Sequence, residues 1–369
     1  MKFSCYKQDL VDALSFVMRA VAVKPMTPIL ASVYIKTIDT GVELQGNNFS
    51  TGIIAKIPAH VEHHGEAAVS GIRFQNFVRN MLDDTLTIND EDGNGLSIQS
   101  GGATVELLTM AAVDFPKVKT PDAECTFKIR ATTLHDLIRK TVFAVAKDES
   151  RPIFTGCAFE ISGDSIALVA TNTHRLALAK DKLAEGVDRD VKFVVPGETL
   201  RGLLTKINPT TDELITVSYS TRNVTFQFGD VFVNARLIEG QFPPYDRVIP
   251  KESTTRVNVD AKEFRSAIDL IALMSKETEY NTVKFFFADG NVEISANSSD
   301  VGGATKNVEA KVDGDDLSIA FNVSYITDVL RVLDAPRIDM AFNDKYSPAM
   351  IGVDGDENYT YVVTPVRTQ

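Results

Sequence analysis

The chain is written three times over, and that repeat limits its fold more than any other feature. Three stretches, DLVDALSFVMRAVAV, TLHDLIRKTVFAVAK and EFRSAIDLIALMSK, set apolar residues at offsets 0, 3, 4 and 7. They are Leu10, Ala13, Leu14 and Val17; Leu134, Leu137 and Ile138, with Thr141 as a weak fourth; and Phe264, Ala267, Ile268 and Ile271. Such spacing is one face of an α-helix. A second helix follows in each repeat: Phe74, Phe77, Val78 and Met81; Leu200, Leu203, Leu204 and Ile207; Ile326, Val329, Leu330 and Leu333. Phe74 to Leu200 and Leu200 to Ile326 are both 126 residues. Ser70 and Asn322 stand where N-caps belong, and Asp260 with Glu263 reads as a capping pair.

Strand-like segments fill the rest. PILASVYIKT and PIFTGCAFEI start 124 residues apart, and NTVKFFFADG continues the set. VELQGNNFSTGIIAKI, IALVATNTHRLALAK and VEISANSSDVGGATKNVEA form a second trio, and turns such as EDGNG and FGD punctuate hairpins. VDFPKV and GQFPPYDRV close two of the repeats. A period this long means whole domains, not a solenoid. The expected fold class is α+β: three tandem domains, each with two helices packed on antiparallel sheets, over residues 1–121, 122–252 and 253–369.

Charge is distributed unevenly. The six helical stretches sum to +5 in a chain of -12, leaving -17 for everything else. Arg19, Arg79 and Arg331 fall opposite the apolar stripes of their helices. One such helix is an ordinary solvated face. Six in a repeated chain suggest a surface that follows a phosphate backbone without reading bases. Twelve helices, two chains' worth, spaced about 9 Å apart would enclose a circle roughly 34 Å across. That admits a duplex, and an acid-rich exterior would repel DNA elsewhere.

Cys5, Cys125 and Cys157 are far apart and odd in number, as expected of reduced thiols in a cytoplasmic protein. Lys7 and Asp9 interrupt the opening where a signal peptide needs an apolar core, and no apolar run reaches the length of a membrane span. HVEHHGE, with His60, His63 and His64, lacks metal-site spacing and reads as a polar loop. DGDEN at 354–358 reads as a hairpin turn and not a calcium loop.

In family order and spacing, MKF, KPMTPIL, ATNTHRLA, FPPYDRVIP, FNVSYITDVL and YVVTPVR resemble the bacterial sliding clamps, the beta subunit of DNA polymerase III. The resemblance covers essentially the whole chain. It implies a head-to-tail homodimer forming a six-domain ring around duplex DNA, with no catalytic activity, cofactor or metal. Its implied partners are the DNA polymerase III catalytic subunit, clamp-loader subunits, and other polymerases and repair proteins. These dock through short linear motifs with a Gln and Leu or Phe anchors.

The resemblance also implies a peptide pocket between the second and third domains. Its residues would be Phe154, Thr171, His174, Arg175, Leu176, Pro243, Arg247, Val248, Asn322, Tyr325, Val363, Thr364, Pro365, Val366 and Arg367, with Met350 and Tyr280 at the rim. Apolar walls would take the anchors, and His174 and Arg175 would donate to peptide carbonyls or the Gln. Lys24, Arg73, Arg79 and Arg151 would face DNA. Strand residues near Val105 and Leu107 would meet the helix around Leu273 and Met274 across the dimer. Three features depart from the family pattern: Thr173 where Gly is usual, Asp246 beside Arg247, and the tail TPVRTQ. The competing expectation is a β-rich binding or hydrolytic protein built on a His174–Arg175 cleft.

Overall fold

The computed structural model describes residues 1–90, 95–275, 281–288, 290–298 and 302–367. Tyr280 and most of the EDGNG turn lie outside them. Among the described residues are six α-helices and twenty-six strands. The helices are α1 (Lys7–Val17), α2 (Gly71–Asn80), α3 (Ala131–Thr141), α4 (Gly197–Leu204), α5 (Ala261–Ser275) and α6 (Val323–Leu330). Every apolar stripe maps onto one of them. Leu10, Leu14, Phe74, Val78, Leu134, Leu200, Phe264, Ile268, Ile326 and Val329 are all at most 1 % exposed. Burying each large side chain contributes about 2–3 kcal/mol. Phe77 departs from its stripe and is 41 % exposed.

Helix ends follow their chemistry. Asn322 caps α6, its side chain accepting from the Ser324 N–H at 2.9 Å. Asp260 Oδ1 accepts from the Glu263 N–H at 2.9 Å. Ser70 is at the N-cap of α2, but its side chain makes no capping bond. Thr141 earns its place in the α3 stripe by donating its hydroxyl to the Leu137 carbonyl at 2.7 Å.

The chain folds into two compact units, and the middle repeat is divided between them. The first comprises Met1–Thr132, Leu183–Val187 and Glu198–Leu237. It contains a five-stranded sheet ending on Ala103–Leu107 and a nine-stranded antiparallel sheet. In the nine-stranded sheet, Thr51–Pro58 of the first repeat pairs with Val231–Arg236 of the second, Ala235 opposite Thr51. Helix α1 lies so close to Gly41–Asn47 that a Cβ on Gly46 would sit 2.6 Å from the Val17 carbonyl oxygen. HVEHHGE is not a loop: His60–His63 is a strand paired with Lys2–Tyr6, Val61 opposite Phe3. Strand pairing, not its own polarity, decides its conformation.

The second unit comprises Thr133–Lys182, Asp188–Gly197 and Ile238–Gln369. Its twelve-stranded antiparallel sheet repeats the device: Arg175–Lys182 of the second repeat pairs with Tyr359–Val363 of the third, Val363 opposite Arg175. Both joints follow the same bend, where Asn47 faces Gly52 and Thr171 faces Leu176. The third hairpin, Asn291–Ser298 with Gly302–Gly314, pairs Ser298 with Gly302 at the equivalent position.

Candidate functional site

The ATNTHRLA stretch is the bend between Ser165–Thr171 and Arg175–Lys182, and it is held from within. Asn172 Oδ1 accepts from the N–H groups of His174 (3.1 Å) and Arg175 (3.0 Å). The Thr171 hydroxyl donates to the Arg175 carbonyl at 2.7 Å and accepts from the Thr173 N–H at 3.1 Å. These bonds hold Thr173 at φ 74°, a left-handed conformation that a β-branched residue resists.

Arg175 points inward, against expectation. Its side chain is 6 % exposed and its Nη1 donates to Asp328 Oδ2 on α6 at 2.7 Å. Its Nη2 donates to the Phe143 carbonyl oxygen, while Nε is buried without an acceptor. The guanidinium carbon lies over the rings of both Tyr325 (4.7 Å) and Phe143 (5.3 Å). The His174 ring stacks on Tyr325 at 6.4 Å, with 16° between planes. Arg175 therefore does not present donors to a bound peptide. It holds Tyr325 and, through it, His174.

The tail is tied to the same bend. The N–H and hydroxyl of Thr364 both donate to the His174 carbonyl, at 2.9 and 3.0 Å. The Val366 N–H donates to the Ala320 carbonyl at 2.8 Å. Thr364, Pro365 and Val366 are half-buried and Arg367 is exposed, whereas Val363 is fully buried and forms part of the frame. Burial raises the pKa of the Tyr361 phenol, whose hydroxyl donates to the Tyr325 carbonyl at 2.8 Å.

Beside the bend lies an apolar cluster. Leu176, Val362, Ala158, Val169, Leu178 and Val194 form its buried floor. Ile153, Phe242, Tyr245, Ile249 and Met350 stand half-buried around it. Phe154 meets the Phe242 ring edge-on at 6.0 Å. The loop carrying FPPYDRV supplies exposed Pro243, Arg247 and Val248, the last 50 % exposed. Tyr245 pins that loop by donating to Glu160 Oε2 at 3.1 Å; burial, then the Glu160 charge, raise its phenol's pKa. A cavity of about 460 Å³ runs beneath Gly240–Asp246 against Glu160, Lys192 and Phe193.

The second unit contains every described residue of the expected pocket. Sequence reading missed Ile153, Phe242, Tyr245, Ile249 and Val362. Phe242 alone was signalled, by the repeated FP phrase.

The remaining predicted residues are dispersed. Lys24, Arg73 and Arg79 are exposed in the first unit, Lys24 at φ 52° and Arg79 donating to Ser15 Oγ at 2.9 Å. Arg151 is exposed in the second unit. Val105 is half-buried on an edge strand, but Leu107 is 7 % exposed and turns into its own core; the neighbouring Leu108 is 83 % exposed. Leu273 is 67 % exposed on α5 and Met274 is half-buried. Among the described residues no three His, Cys, Asp or Glu side chains are placed to hold a metal, and no helix is long and apolar enough to cross a membrane.

Comparison with known proteins agrees with this architecture. Models of the DNA polymerase III beta subunit match in order: the N-terminal domain over residues 1–119, the central domain over 128–244 and the C-terminal domain over 246–367. The beta sliding clamp of Bacillus subtilis is 32 % identical over the full length of both chains. The chain belongs to the beta sliding clamp family. The crystal structure of the Bacillus subtilis DNA polymerase sliding clamp superposes with a TM-score of 0.92 at 31 % identity, covering all of both chains. The DNA polymerase III beta subunit of Thermotoga maritima superposes at 0.90 with 29 % identity, again covering both in full. The role that comes with membership is that of a non-catalytic processivity factor in DNA replication. This membership displaces the hydrolytic reading of His174.

Proposed function

We propose that two copies of this chain close head-to-tail into a ring that encircles duplex DNA and recruits partners by short peptides at the His174–Tyr325 pocket. Each ring would contain six domains, three per chain with the boundaries read from the repeat (1–121, 122–252, 253–369), and would act in the cytoplasm. Its partners are the polymerase III catalytic subunit, clamp-loader subunits, and other polymerases and repair proteins.

One observation carries the ring. Two of the three repeated hairpins have their outer strand paired with the last strand of the following repeat. The third, Gly302–Gly314, pairs on its outer side with Thr255–Asp260 only from Ala310 to Gly314, which leaves its first residues as an edge, and Ala103–Leu107, the counterpart of Val231–Arg236, ends its sheet. A second copy supplies each edge with the strand it lacks. Carrying the internal register over pairs Val105 with Gly303 of a second copy. Exposed Phe77 and Leu108 beside one edge, and Leu270 and Leu273 beside the other, are apolar surface of the kind an interface core needs. The cationic helices, with Lys24, Arg73, Arg79 and Arg151, are read as the DNA track.

The pocket reading is supported by the half-buried apolar residues packed on this cluster, with the His174–Tyr325 and Phe154–Phe242 ring pairs beside them: such a surface suits Leu or Phe anchors. Thr173, Asp246 and the TPVRTQ tail adjust which peptides fit best.

Topological binding is tested by loading the protein onto nicked circular DNA. It should remain in high salt and slide off once the circle is cut, whereas an electrostatic binder is lost from both forms as salt rises. The pocket is tested by titrating a labelled peptide with Gln, Leu and Phe. Arg247→Ala or Tyr325→Ala should weaken binding by about 1 kcal/mol or more with the dimer intact; unchanged affinity rejects the assignment.

A further inference from the structure

The Asn172 bend occurs a second time at Asn48. Asn48 Oδ1 accepts from the N–H groups of Ser50 (3.1 Å) and Thr51 (2.8 Å), and Phe49 takes φ 68° where Thr173 takes 74°. The first unit therefore builds its own version of the groove, over the joint of Thr51–Pro58 with Val231–Arg236. Its floor differs. By strand register Gly52 is the counterpart of Leu176, Asn234 of Val362 and Thr225 of Met350.

This groove already holds a peptide: the chain's own Pro116–Lys119. Asn47 Nδ2 donates to the Pro116 carbonyl at 2.7 Å, and Asn234 Nδ2 to the Lys119 carbonyl at 2.9 Å. The Val118 N–H donates to Gln45 Oε1 at 2.9 Å. Asn223 Nδ2 donates to Asn234 Oδ1 at 2.9 Å and orients that amide. The Val118 side chain lies where a residue larger than glycine would intrude: a Cβ on Gly52 would be 2.9 Å from both Val118 methyl carbons. A cavity of about 350 Å³, lined by these residues together with Phe49 and Ser50, remains alongside.

The two FP phrases explain the difference. Phe115 is 3 % exposed and stacks on Tyr34 at 5.3 Å, drawing the residues after it into the groove. Phe242 stays half-buried as a wall of its pocket. Phe115 lies 10 residues before its next strand and Phe242 lies 13 before its own, so the second linker has slack to stand clear.

We propose that Pro116–Lys119 is a built-in ligand that shuts the first groove, leaving one open groove per chain for Gln/Leu/Phe peptides. The assignment rests on the peptide reading of the second groove. A tethered segment competes at an effective concentration in the millimolar range, which free peptides do not match. Asn47, Gln45 and Asn234 hold its main chain, and polar Asn234 and Thr225 replace the apolar floor that Leu or Phe anchors need.

Amide hydrogen exchange on the full chain, with the labelled Gln/Leu/Phe peptide as probe, tests this. Val118 should exchange at least 100-fold more slowly than an unstructured amide, and one peptide should bind per chain. The variant Gly52→Leu/Thr225→Met/Asn234→Val transplants the apolar floor and evicts Val118. Its Val118 amide should exchange at least tenfold faster than in the unaltered chain, and the peptide count should rise to two. Fast exchange at Val118 in the unaltered chain overturns the proposal even if the variant does not fold. So does a count that stays at one after Val118 is released. An unaltered chain that binds no peptide refutes the pocket reading instead, because Val118 protection is measured without peptide.

Discussion

Asp328→Asn is the most informative single change. It removes the carboxylate bonded to a guanidinium that is 6 % exposed, while leaving the shape of α6 nearly untouched. Breaking one partner of a buried pair costs about 3–5 kcal/mol. Asp328 is itself 29 % exposed, so water compensates in part, and the expected loss is about 2–3 kcal/mol. For a unit of this size that lowers Tm by roughly 4–10 °C. The same change loosens the Tyr325–Arg175–Phe143 stack, so peptide affinity should fall by about 1 kcal/mol, roughly fivefold. Thermal unfolding and a peptide titration read the two effects separately. A cycle with Arg175→Met completes the argument: the Arg175→Met/Asp328→Leu double variant should recover much of the stability either single change loses, because no charge remains buried. Additive losses, or an Asp328→Asn protein with unchanged Tm and affinity, would refute the role given to this pair.

Thr173→Gly should raise stability by about 1 kcal/mol, since φ 74° costs a β-branched residue that glycine does not bear; chemical denaturation measures it, and a destabilised variant contradicts the strain. Burial, aided by Asp9, pushes the Cys5 thiol up to about 12, so at pH 8 it carries almost no thiolate. A thiol reagent should therefore modify half-buried Cys125 first, with Cys5 and the fully buried Cys157 reacting only on unfolding. Arg73→Ser with Arg79→Ser should weaken retention on circular DNA while sparing peptide affinity; normal retention removes those helices from the DNA track.

Helices were the most legible part of this fold because a buried stripe needs only one period to show itself. The cap at Asn322 was equally readable, since its carboxamide needs only an N–H two residues on. The candidate pocket rests on resemblance, which did not reveal that Arg175 is buried. Leu176 is buried as well, so the bend is covered on both faces and alternation no longer identifies an outward side chain. Nothing local announces that an aspartate 153 residues away will meet it. His60–His63 failed for a related reason, its pairing with Lys2–Tyr6 being long-range. The half-buried walls, Ile153 in a single 3-10 turn and Tyr245 and Ile249 in a loop, belong to segments too short or irregular for periodicity to reveal.

Three repeats folding as two units is a consequence of where the sheets cross. Each large sheet begins in one repeat and is completed by the next, so the middle repeat contributes strands to both. An isolated repeat would expose a strand edge at each end, an invitation to uncontrolled pairing. Covalent linkage in tandem removes two of the three mismatches. It cannot remove the last, because a linear chain of any number of such repeats always ends with one edge of each kind. The residues at those edges support this view. Ala103–Leu107 and the first residues of Gly302–Gly314 contain no proline, and the first lysine on either is Lys306, so the usual protections of a permanently free edge are missing at Gly302, Gly303 and Ala304. Those edges are built to be covered. Closure by an identical chain, as proposed, would cover both at once.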